Sequence, residues 1–351
     1  MDNKTSKGRP SFLQHVHPPT IPEAQARWRY TLGAGGIALF LALILGISGA
    51  LEMFFYIPTS DEAAISIQRL SYLVPFGGLV RNIHFWSAQL LVIISSIHLL
   101  RVVFTGSYSN KRKFNYLLGL GLFLLVILLD FTGYILRWDT GIQWALVVGT
   151  NLIKTIPWIG NKLYPIVVGS QSIGSETLIR FYSWHIFGLI IPAMILIVWH
   201  VFKVRRDGGI AVPPAKLREN QRRISRVELV RMEILAMIIT GVVLLILSIL
   251  FPAPIAQGIK EITTLSGDAS APWFFLWVQQ MLKWGDPFKW GVLVPVIFFV
   301  FTALIPYVLP KPADQDLGKW FPKSNRLAQI ALGSIAIVIS ILTILGLNPA
   351  A

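Results

Sequence analysis

Arg81-Asn82-Ile83-His84-Phe85-Trp86-Ser87-Ala88-Gln89-Leu90-Leu91-Val92-Ile93-Ile94-Ser95-Ser96-Ile97-His98-Leu99-Leu100-Arg101 decides the fold. Two histidines sit in a largely apolar run that has an arginine at each end. Its length is about what one α-helix needs to cross the roughly 30 Å hydrocarbon core of a bilayer. Ionisable side chains inside such a span are costly and mark function by default.

The rest of the chain has the same character. Of its 351 residues 54% are hydrophobic and 14% are charged, against about 25% charged in ordinary soluble domains. Mean hydropathy is +0.63. There is no cysteine, which excludes disulfides, thiolate metal sites and thioether-linked prosthetic groups. Seven apolar stretches are long enough to span, at about 31–55, 79–104, 116–136, 182–204, 228–251, 290–310 and 327–347. The fold class is therefore an all-α integral membrane protein, because in lipid a helix satisfies its own backbone and nothing here alternates like a barrel strand. Residues 1–29 are polar and predict no cleavable signal peptide.

Charge sets the sidedness. Most of the 31 Lys and Arg residues lie before the first span or beside the connections after the second, fourth and sixth. The positive-inside rule places these in the cytoplasm and the C-terminus outside. This bias accounts for the net charge of +14 without a nucleic-acid partner. The natural contact of such a chain is membrane lipid. The basic stretch after the fourth span, with Lys203, Arg205, Arg206, Lys216, Arg218, Arg222, Arg223 and Arg226, reads as a linker between two halves. On the opposite side, 142–152 and 273–284 are apolar but too short to span, and predict helices lying at the interface.

Of six histidines, His15 and His17 fall in the polar arm, and the other four fall in the second and fourth spans. His84 and His98 are 14 residues apart, about 40° short of four full turns and about 21 Å along the axis. His185 and His200 are 15 apart, within about 60° of one face and about 22 Å along the axis. Both spans run in the same direction, so His84 is level with His185 and His98 with His200. Two facing imidazoles at each of two depths suit two haem irons with bis-His axial ligands. Zinc usually takes four ligands at one depth. The alternatives are a proton relay in a transporter or hydrogen bonds between helices.

Glycines repeat the period. Gly35 and Gly49 in the first span, and Gly119 and Gly133 in the third, are each 14 apart. Missing side chains at two depths predict close approach of a flat macrocycle, with small-residue helix packing as the plainer alternative. Arg81 precedes His84 by one turn, Arg101 follows His98 by one turn, and Arg205 follows His200 by five residues. Each is a candidate partner for the carboxylates of such a macrocycle, or an interfacial anchor.

On these residues the chain resembles the cytochrome b/b6 family of bc1- and b6f-type complexes, from about residue 27 to 346. The resemblance is carried by Arg81-Asn82-Ile83-His84, His98-Leu99-Leu100-Arg101, Thr132-Gly133-Tyr134, Trp138-Asp139 and Arg180-Phe181-Tyr182-Ser183-Trp184-His185. The 15-residue offset from His185 to His200, and Ile156-Pro157-Trp158-Ile159-Gly160, resemble the b6 type. The resemblance implies a cytoplasmic arm at 1–30, a four-helix di-haem domain at 31–210, a basic linker at 211–227 and a three-helix, subunit IV-like domain at 228–351. It further implies two non-covalent b-type haems and a quinol as substrate. The implied partners are a Rieske iron–sulfur protein, a c-type cytochrome or equivalent acceptor, and a second copy of the complex. The expected location is a bacterial plasma membrane. A di-haem anchor serving a peripheral dehydrogenase would share the histidines, but would not need the last three spans.

Three positions depart from the family pattern. Ala271-Pro272-Trp273-Phe274 stands where the family has Pro-Glu-Trp-Tyr, so Pro272 replaces a carboxylate that accepts a proton. Arg137 replaces a proline before Trp138. Thr31 stands where b6 proteins carry a cysteine for a further covalent haem. The quinol site is expected among 142–152, Tyr134 and 273–276, with Ala145 and Trp273 as lining. Asp130, one turn before Gly133, is the candidate replacement proton acceptor. It could instead pair with Arg137 two turns on. Asp139, expected to be more exposed in its loop, is the second candidate.

Overall fold

The computed structural model describes residues 19–212, 222–259 and 270–347. His15, His17, Lys216, Arg218 and most of the expected linker lie outside the described residues. Among the described residues, seven helices are long and apolar enough to cross a membrane. They are α1 (Ala34–Glu52), α2 (Gly77–Phe104), α3 (Asn110–Ile135), α4 (Ser175–Arg206), α5 (Arg226–Leu250), α6 (Lys289–Val308) and α7 (Lys323–Leu347). Large apolar side chains stand exposed along them, for example Val198 at 70%, Ile249 at 65% and Ile344 at 62%. A surface this apolar needs lipid rather than water around it, and the protein is an all-α integral membrane protein.

The largest shifts from the expected boundaries are at α3 and α4. Both begin several residues early, because polar first turns extend the helix past its apolar run. The amphipathic segment Ser175–Ser183 opens α4, and there the Gly174 amide donates to Thr177 Oγ1 at 3.0 Å. α5 begins where Ser225 Oγ accepts from the Glu228 amide.

α1 packs on α2 and α3 on α4, while α2 and α3 meet between them to close a four-helix bundle. α5 lies against α1 and α2, α6 against α3, and α7 against α2. The second half therefore sheathes one side of the bundle. The connections alternate between ends. At the basic end Tyr30 Oη donates to the Ala211 carbonyl at 2.6 Å and meets Ser107 Oγ at 2.9 Å. Val103, Tyr108, Tyr116, Ile305 and Leu332 form a core there. A two-stranded pairing of Thr20–Pro22 with Arg223–Ser225 ties the N-terminal arm to the start of α5.

The opposite end is rich in loops. Short helices Gln143–Lys154 and Leu276–Leu282 lie there, as the two apolar runs predict, together with unexpected ones at Ala63–Tyr72 and Gly160–Val168. Ile135, Trp138, Ile142, Leu146, Leu178 and Phe181 form its core. Tyr56 Oη donates to the Leu136 carbonyl at 2.8 Å. Burial, and Tyr182 beside it, hold the Tyr56 phenol well above its ordinary pKa, so it stays a donor.

Candidate functional site

The four histidines meet in two pairs between α2 and α4. His84 faces His185 with ring centroids 6.4 Å apart, and His98 faces His200 at 6.5 Å. The unequal spacing on α4 is resolved in its backbone. Trp184–Gly188 is a π-helical turn, closed by the Leu189 amide donating to the Trp184 carbonyl at 2.9 Å. A π-bulge takes up one extra residue. His185 and His200 therefore keep the register of a 14-residue spacing, about 40° short of four turns, as His84 and His98 do. A Cβ on Gly188 would collide with the Trp184 indole that lies over this turn.

Each of the four glycines serves one imidazole. A Cβ on Gly133 would stand 2.8 Å from His185 Cε1, on Gly49 3.0 Å from His84 Cε1, on Gly119 3.1 Å from His200 Cε1, and on Gly35 3.4 Å from His98 Cε1. The imidazole rings thus sit close against the backbone at all four glycines. α1 receives the histidines of α2, and α3 receives those of α4.

Hydrogen bonds turn the rings. His84 Nδ1 lies 2.9 Å from Ser48 Oγ, whose own proton goes to the Ile44 carbonyl at 2.7 Å. His185 Nδ1 lies 3.0 Å from Thr132 Oγ1, which donates to the Leu128 carbonyl at 2.9 Å. Both hydroxyls therefore accept from Nδ1–H, and Nε2 carries the lone pair. His200 Nδ1 donates to the Asn115 carbonyl at 3.2 Å. His98 Nδ1 is buried with no partner among the described residues. Histidines that bind metal usually donate their other ring nitrogen in this way.

A metal held about 2 Å from one nitrogen of each of two opposed rings puts the ring centroids about 6 Å apart, as both pairs do. Among the described residues no three His, Cys, Asp or Glu side chains gather as a metal cage. Two axial donors at each depth fit an iron whose other ligands come from a macrocycle. Arg101 fits an anionic edge of such a group: it is buried at 6% exposure, its Nε lacks a partner among the described residues, and its guanidinium lies 5.7 Å from the Tyr30 ring centroid. Arg205 is half-buried, with no side-chain partner among the described residues. Arg81 is engaged elsewhere, donating to the carbonyls of Ala253 at 3.0 Å and Pro254 at 2.6 Å.

A cavity of about 930 Å³ opens at the loop-rich end between α3, α4, the helix Gln143–Lys154 and residues 270–283. Phe131, Ala145, Val148, Pro272 and Phe275 line it, with Thr132, Ser270, Gln279 and Lys283 among its polar contacts. Among the described residues, no Asp, Glu or His is in its lining. Thr132 thus belongs both to this wall and to the His185 hydrogen bond.

Tyr134 and Trp273 are not among the residues that line the cavity. Tyr134 Oη donates to the Gly141 carbonyl at 2.7 Å, and its ring lies 5.3 Å from the Arg137 guanidinium. Trp273 Nε1 donates to Gln89 Oε1 at 2.6 Å. Gln89 Nε2 in turn donates to Asp130 Oδ1 at 3.2 Å. The alternative pairing of Asp130 with Arg137 is not made: Arg137 grips Asp139, with Nη2 2.7 Å from Oδ2. Nor is Asp139 exposed. It is 3% accessible and accepts from the amides of Gly141 at 3.0 Å and Ala256 at 3.2 Å. The short reach from Arg137 to Asp139 and the capped turn at 139–141 outcompete a pair two helical turns apart.

Ser48 and Gln89 went unsingled in the sequence, as did the hydroxyl of Thr132. A signal was present, since Ser48-Gly49 and Thr132-Gly133 place a hydroxyl just before the glycine at one depth, whereas Ala34-Gly35 and Leu118-Gly119 do not at the other.

The family model described as Cytochrome b/b6/petB matches residues 21–208. A curated relative named cytochrome b6, from Heliomicrobium gestii, is 34% identical over 174 residues, which is 50% of this chain and 82% of that protein. A solved structure titled "Hyperthermophilic respiratory Complex III" superposes with a TM-score of 0.77 at 18% identity, covering 92% of this chain and 85% of that one. That likeness extends the shared fold through α5–α7. With its two glycine-cradled histidine pairs and this match over more than half its length, the chain belongs to the cytochrome b/b6 family.

Proposed function

We propose that this chain is the di-haem, quinol-oxidising subunit of a Rieske/cytochrome b complex in a bacterial plasma membrane. The observation that carries the reading is the pair of opposed imidazole couples at two depths on α2 and α4. When bound, a b-type haem supplies a one-electron redox centre at each depth. The protein's part is position and environment. Ser48, Thr132 and the Asn115 carbonyl hold Nδ1, so that Nε2 of His84, His185 and His200 is free to bind iron. Arg101 and Arg205 offer charge to propionates, and the glycines let the rings seat.

The cavity at the loop-rich end is the proposed quinol site, with Ala145, Thr132 and Phe275 in its wall. Trp273 and Asp130 act behind it. In this reading the loop-rich end faces outward, the N-terminus is cytoplasmic, and charge crosses about 21 Å of bilayer between the two depths. Residues 31–210 form the di-haem domain and 228–351 the subunit IV-like half. The partners are a Rieske iron–sulfur protein and a c-type cytochrome or equivalent acceptor, and the complex is a homodimer.

One observation favours a second reading. With Pro272 in place of glutamate and no carboxylate in the lining among the described residues, the chain could instead relay electrons as a di-haem anchor for a dehydrogenase. Purification from native membranes, with a redox titration of the reduced-minus-oxidised spectrum and identification of co-purifying subunits, decides. Two b-type components with a Rieske protein are expected. Two components with a dehydrogenase would favour the anchor, and absence of haem would sink both.

A further inference from the structure

Thr132 is the only residue that both lines the cavity and hydrogen-bonds a histidine ring, among the described residues. Its side chain is 6% exposed and its hydroxyl is fully oriented. The proton lies toward the Leu128 carbonyl at 2.9 Å, and one lone pair faces His185 Nδ1 at 3.0 Å. A threonine hydroxyl has one donor and two acceptor sites, so its remaining capacity is as an acceptor. Ser48 makes the equivalent bond to His84 from α1, at 2.9 Å, and is not among the lining residues of the cavity. Among the described residues the other couple has no such arrangement: His200 uses a backbone carbonyl, and His98 Nδ1 has no partner.

We propose that Thr132 is a positioning residue through which occupancy of the cavity by a quinone-class ring is felt at the His84–His185 iron site. This rests on the haem reading above. An acceptor on Nδ1–H raises the basicity of the ligating nitrogen and so tunes the metal. A ring seated in the cavity packs against Thr132, and any shift of that hydroxyl changes the acceptor strength seen by His185. Ser48 tunes the same iron from the opposite ring but is out of reach of the occupant. It therefore separates tuning from coupling.

The test uses the complex purified with its haems. The midpoint and α-band of the haem at His84–His185 are recorded with and without a 2-alkyl-3-hydroxy-1,4-naphthoquinone, whose binding is measured separately by equilibrium dialysis. In the wild type the probe is expected to shift that haem and leave the other unmoved. Thr132→Val should raise the midpoint of the same haem without probe, since a weaker ligand favours ferrous iron, and should abolish the probe shift while dialysis still reports binding. Ser48→Ala should raise the midpoint and keep the probe shift. Thr132→Ser, which restores the hydroxyl, should restore both properties.

A full probe shift in Thr132→Val would overturn the proposal. So would a wild type in which bound probe moves neither haem, or moves both equally. If Thr132→Val assembles poorly or no longer binds the probe, Thr132→Ser and Ser48→Ala still decide: loss of the probe shift in either, with probe bound, overturns it. Wild-type protein without two b-type components would instead refute the haem reading, a result distinguishable from all of these.

Discussion

Gly133 and His185 make the tightest of the four glycine–histidine approaches, with 2.8 Å between a Cβ at position 133 and the imidazole Cε1. Contacts under 3 Å force something to move, and α3 and α4 are packed against each other here. Alanine substitutions should therefore grade in effect. Gly133→Ala should displace His185 and lower occupancy of the adjacent haem most. Gly49→Ala and Gly119→Ala should be intermediate, and Gly35→Ala, at 3.4 Å, close to neutral. Haem per chain from the pyridine haemochromogen spectrum measures this, and an inverted order would show that the glycines serve something other than the rings.

On the proposed di-haem reading, the pairing predicts which haem each histidine would hold. His84→Ala and His185→Ala should each remove the haem of the loop-rich end, and His98→Ala and His200→Ala that of the basic end. Each variant should lose about half the b-type absorbance, because an iron with a single axial histidine no longer has bis-His character. A redox titration resolves which component is gone. Two intact bis-His haems in His98→Ala would refute the pairing.

Ala145 is 7% exposed and lines the cavity. Ala145→Trp should fill it from the side of the helix Gln143–Lys154 and lower quinol oxidation at least tenfold, roughly the scale at which misplaced substrates lose rate, while both haems assemble. Steady-state quinol:acceptor turnover alongside the optical spectrum checks it. Unchanged turnover would argue against this cavity as the substrate site.

The spans and the four histidines were legible in the sequence, because apolar length and helical period act locally. The register of α4 was not. A 15-residue spacing on an ideal helix puts His185 and His200 about 60° apart, and nothing in Trp184-His185-Ile186-Phe187-Gly188 announces a π-turn by period alone. The glycines are legible by their period, but the imidazoles they meet are not, since period fixes depth and face and leaves open what occupies the face. Asp139 was misjudged for a related reason. A loop position suggests exposure, but the amide that buries it comes from Ala256, more than a hundred residues away.

Asp130 is where sequence and geometry pull apart. As an acid inside a span, one turn from Gly133, it reads as the replacement for the glutamate missing at Pro272. In the structure it accepts from Gln89 Nε2 at 3.2 Å, and Gln89 Oε1 accepts from Trp273 Nε1 at 2.6 Å. An indole N–H only donates, so this chain of bonds does not hand a proton onward from the cavity rim to Asp130. It does fix which way the Gln89 amide faces, and so anchors Trp273 behind the wall residues Pro272 and Phe275. Asp130→Asn keeps an acceptor oxygen for Gln89 but cannot ionise, and should retain near wild-type turnover. Asp130→Ala leaves a buried amide donor unmet, at a cost of about 1–3 kcal/mol, and should loosen Trp273 and slow turnover with both haems present. Gln89→Leu should behave like Asp130→Ala. Measured pH–rate profiles separate the roles: if Asp130→Asn slows quinol oxidation and alters the profile at normal haem content, Asp130 is a proton acceptor after all. Wild-type rates in Asp130→Ala would exclude both roles and leave the proton to water or a partner subunit.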